Sequence, residues 1–192
     1  MPSDSRDRPV IRTDRLELFP LTLAQLELCL DHPERLERDL GHAISRSLVT
    51  QPVRRAIGMK TANMREAEPA DHVWLTYWLL VVSRDQFGAG LIGFKGTPAD
   101  GGEVEIGYGI DAAYQGQGYM TEAVRAMIGW AFRHRACRAV VAPGTLKENL
   151  ASNRVLAKVG MEVYEETDET LSWRIGREAY WRSGGGAPAA AG

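Results

Sequence analysis

"YQGQGYMTEA", residues 114–123, sets two glycines one residue apart directly ahead of an apolar-periodic run. A loop with so few side chains lets the backbone come close to a partner. The helix that follows begins with N–H groups that lack internal acceptors and carry the positive end of its dipole. Together these features point to an anion held at a helix start. A tight strand-to-helix turn explains a bare G-x-G equally well. The common nucleotide signatures do not fit: there is no G-x-x-x-x-G-K-[ST], and no third glycine completes G-x-G-x-x-G.

The surrounding sequence supplies strands and helices. Just upstream, "EVEIGYGI" (103–110) alternates strictly, with Val104, Ile106, Tyr108 and Ile110 on one face and Glu103, Glu105, Gly107 and Gly109 on the other. Downstream, Met120, Val124, Met127, Ile128 and Ala131 mark a helix to about Arg135. "RAVVAPGT" (138–145) reads as a strand, and "NLASNRVLAKVG" as a helix stopped at Gly160. "MEVYEE" and "LSWRIG" are two further strands. Toward the N-terminus, "IRTDRLELFP" (11–20) is a strand candidate, and Thr22 with Gln25 has capping-box spacing ahead of Leu23, Leu26 and Leu30. Residues 34–70 are polar and less regular. Pro52 starts a second helix with Val53, Ala56, Ile57, Lys60 and Met64 on one stripe. "VWLTYWLLVVSR" (73–84) reads as a buried strand, "QFGAG" as a turn and "LIGFKG" (91–96) as the returning strand. This order predicts an α/β (α+β) fold with a single mixed, mostly antiparallel sheet flanked by helices, not an alternating doubly wound one.

The 192 residues suit one domain, predicted over 10–182, between a flexible start (1–9) and the low-complexity tail "SGGGAPAAAG" (183–192). The 23 basic and 25 acidic residues give a net charge of -2, which argues against bulk nucleic-acid or anionic-membrane binding. Cys29 and Cys137 lie far apart in apolar segments, so no disulfide framework is expected. No apolar run reaches membrane-spanning length and no signal-peptide core is present, so a cytoplasmic setting is expected. His32, His42, His72 and His134 show no metal-ligand spacing, and no metal is expected.

"GYGIDAAYQGQGYMTEAVRAMIGWAF" followed by "NLASNRVLAKVGMEVYEE" resembles the GNAT superfamily of acyl-CoA-dependent N-acyltransferases, and within it the ribosomal-protein N-terminal acetyltransferase-like branch. The superfamily loop [QR]-x-x-G-x-[GA] is matched at Gln115 and Gly118 and departs at Met120, where this branch often carries a bulky residue. The run N-x-x-S-x-x-V-x-x-K-x-G is matched at Asn149, Ser152, Val155, Lys158 and Gly160. "TDRLELFPLT" resembles the branch's first strand and turn, and the likeness covers about residues 10–178. The resemblance implies a sheet split in a V between the strands at 103–110 and 138–144, with acetyl-CoA as cosubstrate. The implied cofactor contacts fall on Ile110, Gln115, Gly116, Gln117, Gly118, Tyr119, Met120, Asn149, Ser152 and Asn153.

Acyl transfer to an amine requires the amine to lose a proton, and the departing thiolate benefits from a hydrogen bond. Glu105 is the candidate base, because it shares a strand face with the glycines that should border the thioester; Glu103 is the weaker one. Many superfamily members carry a tyrosine four residues before the glycine that ends the last helix. Here that position is Leu156, and Ser152 becomes the candidate on the acid side. Helix capping alone would also account for Asn149 and Ser152. The implied partner is an amine acceptor, a protein N-terminus or a small cationic amine, since Asp31, Glu34, Glu37, Asp39, Glu165, Glu166, Asp168 and Glu169 cluster in the segments that form acceptor surfaces. A homodimer stays open. So do a noncatalytic acyl-CoA-binding module of the same fold and an unrelated phosphate-binding protein.

Overall fold

The computed structural model describes residues 9–184. The predicted flexible start and low-complexity tail therefore lie largely outside the described residues.

The chain runs β1 (Ile11–Arg12), β2 (Leu16–Pro20), α1 (Leu23–Asp31), α2 (Pro33–Leu40), β3 (Ala43–Ile44), α3 (Gln51–Glu66), α4 (His72–Leu75), β4 (Trp78–Val82), β5 (Phe87–Phe94), β6 (Glu103–Ile110), α5 (Tyr119–Arg133), β7 (Ala139–Leu146), α6 (Leu150–Lys158), β8 (Glu162–Glu166), β9 (Thr170–Gly176) and α7 (Arg177–Arg182). The strand order is β1-β2-β4-β5-β6-β7-β9-β8, with β3 beside β5. Among the described residues only β3–β5 and β6–β7 pair in parallel. The sheet is mixed, mostly antiparallel and flanked by helices, as the sequence predicts.

Period-2 alternation sorts the core into two layers. On β4, Trp78, Leu80 and Val82 pack with α5, while Leu79 and Val81 pack beneath α1 and α3. Every residue of β4 is buried, which explains its uninterrupted apolar sequence. At α1 both halves of the capping box form: Thr22 Oγ1 accepts from Gln25 N at 3.1 Å, and Gln25 Oε1 accepts from Thr22 N at 3.0 Å.

Three local expectations are corrected. The apolar run at 73–84 is not one strand, because its first residues form the helical turn α4. Trp74 there packs on Trp130 at 4.6 Å between ring centroids, and Trp78 Nε1 donates to Val73 O at 2.9 Å. A short apolar run carries no periodicity to separate a buried helical turn from a buried strand. "QFGAG" is not a turn, because Phe87 to Gly90 belong to β5 and the chain reverses at 83–86, with Gln86 at φ 49°. The glycines of β5 answer to close packing: a Cβ on Gly93 would lie 2.5 Å from Thr76 O. Within 34–70 the helix expected at Pro52 is present as α3, and the correction is α2 (Pro33–Leu40), which is helical where an irregular stretch is expected.

The V opens between β6 and β7. They pair only through Glu103↔Ala139, Val104↔Val140 and Glu105↔Val141. Beyond those pairs β6 stays on β5 as far as Gly90↔Ile110, while β7 follows β9.

Lys60, on the apolar stripe of α3, is 9% exposed. Its ammonium donates to Leu75 O at 3.0 Å, Thr76 O at 3.3 Å and Phe94 O at 2.6 Å. It also lies 4.7 Å from the Tyr77 ring centroid. It thus joins the entry to β4 with the end of β5. Burial, with the charge of Lys95 second, lowers this amine to about 8. Because the folded value lies below the unfolded one, between pH 8 and the ordinary lysine value the unfolded chain holds a proton that the folded chain has released. Stability from this group therefore rises with pH across that window. Urea unfolding from pH 8 to 9 should show this rise, up to ~1.4 kcal/mol per pH unit, and Lys60→Met should flatten it. The window closes at pH 9, because burial raises Cys29 to about 12 and Cys137 to about 11, and stability from those thiols is lost as pH rises further.

Candidate active site

Asp111 opens the turn that carries β6 into the glycine loop. Its Oδ1 accepts from Ala113 N at 2.7 Å, and its Oδ2 accepts from the hydroxyls of Ser45 and Ser47. Hydrogen bonds from Ser45, Ala113 and Ser47 hold this carboxyl below its ordinary value. Gly116 and Gly118 then take left-handed conformations, with φ of 74° and 82°. Nothing lies within 4 Å of a Cβ built on Gly116, and the atom nearest to one on Gly118 is the Arg15 guanidinium at 3.4 Å. Gly118 is the N-cap of α5 and offers no side-chain acceptor. The first backbone bond of α5 runs from Glu122 N to Gly118 O at 3.1 Å, so the N–H groups ahead of it have no internal partner.

Across from this wall stands α6. Asn149 caps it, with Oδ1 accepting from Ser152 N at 3.1 Å. The Ser152 hydroxyl makes no hydrogen bond among the described residues. Between the walls lies a cleft of about 450 Å³, floored by Tyr108, Gly109 and Ile110. Arg154 and Lys158, one helical turn apart on α6, line it, and among the described residues no aspartate or glutamate does. A chain of net charge -2 thus builds one cleft with cationic side chains, open backbone donors and no acid. These residues fit an extended polyanion such as coenzyme A.

The expected site residues divide by what their side chains do. Ile110, Gln115, Gly116, Gly118, Tyr119, Met120, Asn149 and Ser152 all line the cleft. Tyr119 and Met120 bury their side chains in the core, so they can offer a ligand mainly backbone. The amides of Gln115 and Gln117 turn back onto Ile110 O (3.3 Å) and Ala113 O (3.1 Å) and hold the loop in shape. Asn153 is a strut: its Nδ2 donates to Leu146 O at 2.9 Å, and its Oδ1 accepts from Trp173 Nε1 at 3.0 Å. Sequence reasoning missed Tyr108, whose alternation with Ile106 and Ile110 reads as core, and Arg154, which falls on an unconstrained position of the helix motif.

Glu105 is the last residue of β6 to pair with β7, at the apex of the V, and its carboxylate forms an ion pair with Lys95. Beyond it, a Cβ on Gly109 would meet nothing within 4 Å, so this face of β6 is open. Glu103 is tied to Arg174 at 2.8 Å. Much of the acidity expected to receive a cationic acceptor is engaged within the fold. Glu34 and Glu37 pair with Arg46, Glu166 pairs with Lys147, Asp39 accepts from Gln25 and Glu165 accepts from Ser172.

Arg15, just before β2, clamps the glycine loop. Its Nε donates to Glu122 Oε2 at 2.7 Å, its second guanidinium nitrogen donates to Gln117 O at 3.0 Å, and the group lies 4.7 Å from the Tyr119 ring centroid. Thr13 Oγ1 adds a 2.6 Å bond to Glu122 Oε1. Burial alone would raise the Glu122 carboxyl, but the hydrogen bonds from Thr13 and Arg15 prevail and hold it below its ordinary value. Glu122 sits in the first turn of α5, where an uncompensated carboxylate would repel an incoming anion. Arg15→Ala should therefore weaken coenzyme A binding by roughly tenfold, the scale of 1.4 kcal/mol. Adding Glu122→Gln should restore part of the loss. Titration calorimetry on the two variants checks this, and equal affinities for single and double variant would show that charge plays no part.

Comparison with known proteins gives the same fold. The family model for the acetyltransferase (GNAT) domain matches residues 15–162. An uncharacterised N-acetyltransferase of Bacillus subtilis, YjdG, is 28% identical over 96 residues, which are 50% of this chain and 56% of that protein. The chain thus spans little more than half the length of that relative. The ribosomal-protein-S5-alanine acetyltransferase of Vibrio fischeri superposes with a TM-score of 0.63 at 16% identity, over 90% of this chain and 98% of the other. RimL, a ribosomal L7/L12 α-N-protein acetyltransferase solved with coenzyme A, superposes with a TM-score of 0.61 at 17% identity, over 89% and 99%. At those identities the superpositions speak for the fold alone. With the family model covering most of the chain, and with the split sheet, glycine loop and uncapped helix in place, the protein belongs to the GNAT acetyltransferase family.

Proposed function

We propose that the protein transfers the acetyl group of acetyl-CoA to an amine. The observation that carries this reading is the cation-lined cleft, with no carboxylate in its described lining, that runs from the uncapped start of α5 to Tyr108 on β6. The N–H groups from Gly116 to Thr121 would hold the pyrophosphate, with Arg154 and Lys158 across the cleft. Past Glu105, β6 has lost β7 as a ladder partner, and its free edge would pair with the amides of the pantetheine arm. Acetyl-CoA supplies an activated acyl group. The chain supplies orientation, a donor for the carbonyl oxygen from the β6 backbone, and a proton acceptor in Glu105 on the open face. The acceptor is an α-amine of a protein or a small cationic amine, entering over Gly107 and Gly109.

The ion pair between Glu105 and Lys95 favours one rival reading, a module that binds acyl-CoA without turning it over. As a base, Glu105 would have to part from Lys95 when the acceptor arrives.

Acetyl-CoA should stabilise the fold by about 2.7 kcal/mol at a hundredfold excess over Kd, a melting shift of roughly 5 to 11 °C. No shift at millimolar acetyl-CoA would remove the proposal. With an acceptor found by screening amines for free thiol and acetylated mass together, Glu105→Gln should lower kcat on the order of 100-fold with KM for acetyl-CoA unchanged. Glu103→Gln, tied to Arg174, should lose less. Wild-type turnover by Glu105→Gln across pH would withdraw Glu105 as the base. Binding without turnover of any amine would favour the noncatalytic module.

A further inference from the structure

The helix position at which many members of this family carry a tyrosine is here Leu156, which is 1% exposed. The cleft is not without a phenol, however. Tyr108 projects from β6 on the face shared with Ile106 and Ile110, lines the cleft, and brings its hydroxyl to the first turn of α6. There it donates a long 3.4 Å hydrogen bond to Ser152 O. A helical side chain covers the turn N-terminal to its own Cα. A side chain at 156 leans toward the turn that the Tyr108 hydroxyl reaches from β6, but Leu156 itself packs in the core and is not among the residues lining the cleft.

Resting on the acetyl-transfer reading above, we infer that Tyr108 is the hydrogen-bond donor to the departing coenzyme A sulfur, filling from β6 the place left by leucine on α6. Its bond to Ser152 O is long enough to be exchanged for a better acceptor, and a thiolate in the cleft is one. Burial raises the phenol to about 12, ahead of the opposing effect of its bond near Ser152, so the hydroxyl is protonated at any working pH. That value lies above the range of an alkyl thiol, so Tyr108 keeps its proton and stabilises the thiolate by donating. The chemistry balances without it as an acid. The amine nitrogen forms the new C–N bond, and the C–S electron pair leaves on sulfur beside the Tyr108 hydroxyl. The proton lost by the amine, taken through Glu105, ends on the thiol in the released coenzyme A. Ser152, whose hydroxyl makes no hydrogen bond among the described residues, is a second donor to the same sulfur.

The test needs no acceptor. Coenzyme A bound to the protein is titrated with alkali while the thiolate absorbance near 240 nm is followed, against the same titration with desulfo-coenzyme A to remove tyrosine ionisation. Tyr108→Phe keeps the ring and its packing. If Tyr108 holds the sulfur, the bound thiol of this variant should ionise about one to two pH units higher than in the wild type, the worth of a hydrogen bond to a charged group. Coenzyme A affinity at pH 7, where the thiol is neutral, should stay within about twofold. Ser152→Ala should move the titration less than Tyr108→Phe. Coincident curves for wild type and Tyr108→Phe overturn the inference while leaving acetyl transfer standing, and a larger shift in Ser152→Ala transfers the role to the serine. Failure of wild type to bind coenzyme A overturns this inference together with the reading on which it rests.

Discussion

The rest of the structure depends on where β6 and β7 part. A parallel pair that continued past Glu105 and Val141 would close the sheet, and the cleft between α5 and α6 would have no floor open to solvent. The ladder instead stops after three residue pairs. Each strand then keeps its other neighbour, β6 on β5 and β7 on β9. β7 is eased away by an irregularity between Ala142 and Thr145, where Gly144 takes φ of 62° and its N–H goes to Ser172 Oγ at 3.3 Å. Backbone groups in a protein interior are rarely left without partners. Here the edge of β6 that has lost its ladder partner in mid-sheet is half-buried to exposed from Gly107 to Ile110, so its backbone groups are open to an extended partner with amides of its own.

The helices answer the same constraint from either side. α5 packs its apolar stripe on the sheet and brings its uncapped N-terminus to one lip of the V, and α6 brings its first turn to the other. Asn149 secures that turn, and Asn153 ties it to Leu146 O and Trp173, so the wall facing the cleft is held from behind. Tyr108 reaches from the floor to this wall.

Elements with clear periodicity were legible in the sequence. The alternation of 103–110, the stripe of α5, the capping box at Thr22 and the stop at Gly160 each carry a local signal that packing preserves. The glycine loop and the Asn149–Ser152 turn were found because glycine and capping residues report backbone geometry directly. Runs whose burial is settled by partners far along the chain were misread. Residues 73–84 are apolar throughout, so no period separates the helical turn at Trp74 from the strand at Trp78. The glycines of β5 look like turn residues unless the carbonyl of Thr76 is known to press on Gly93. α7 carries no signal strong enough to set it apart from a loop. Within the site, Tyr108 was hidden by its own regularity, since an aromatic alternating with isoleucines reads as core until the facing strand is seen to leave.

Global charge was a poor guide to the site and local charge a good one. A total of -2 argues only against ligands that read the whole surface. At the cleft itself the count is different: no carboxylate is in its described lining, and the two that flank the glycine loop, Glu122 and Asp111, are held by donors of the fold. Glu122, in the first turn of α5, is held by Arg15 and Thr13 from a segment 107 and 109 residues away along the chain. Asp111, at the end of β6, is answered by the hydroxyls of Ser45 and Ser47. A carboxylate in the first turn favours the dipole of its own helix, and that same placement would compete with an anionic ligand. The clamp from Arg15 reconciles the two: Glu122 stays ionised and supports α5, while its charge is spent on a guanidinium and not on the approaching phosphate. The turn between β1 and β2, remote from the cleft in sequence, thereby becomes part of what keeps the helix start available to an anion.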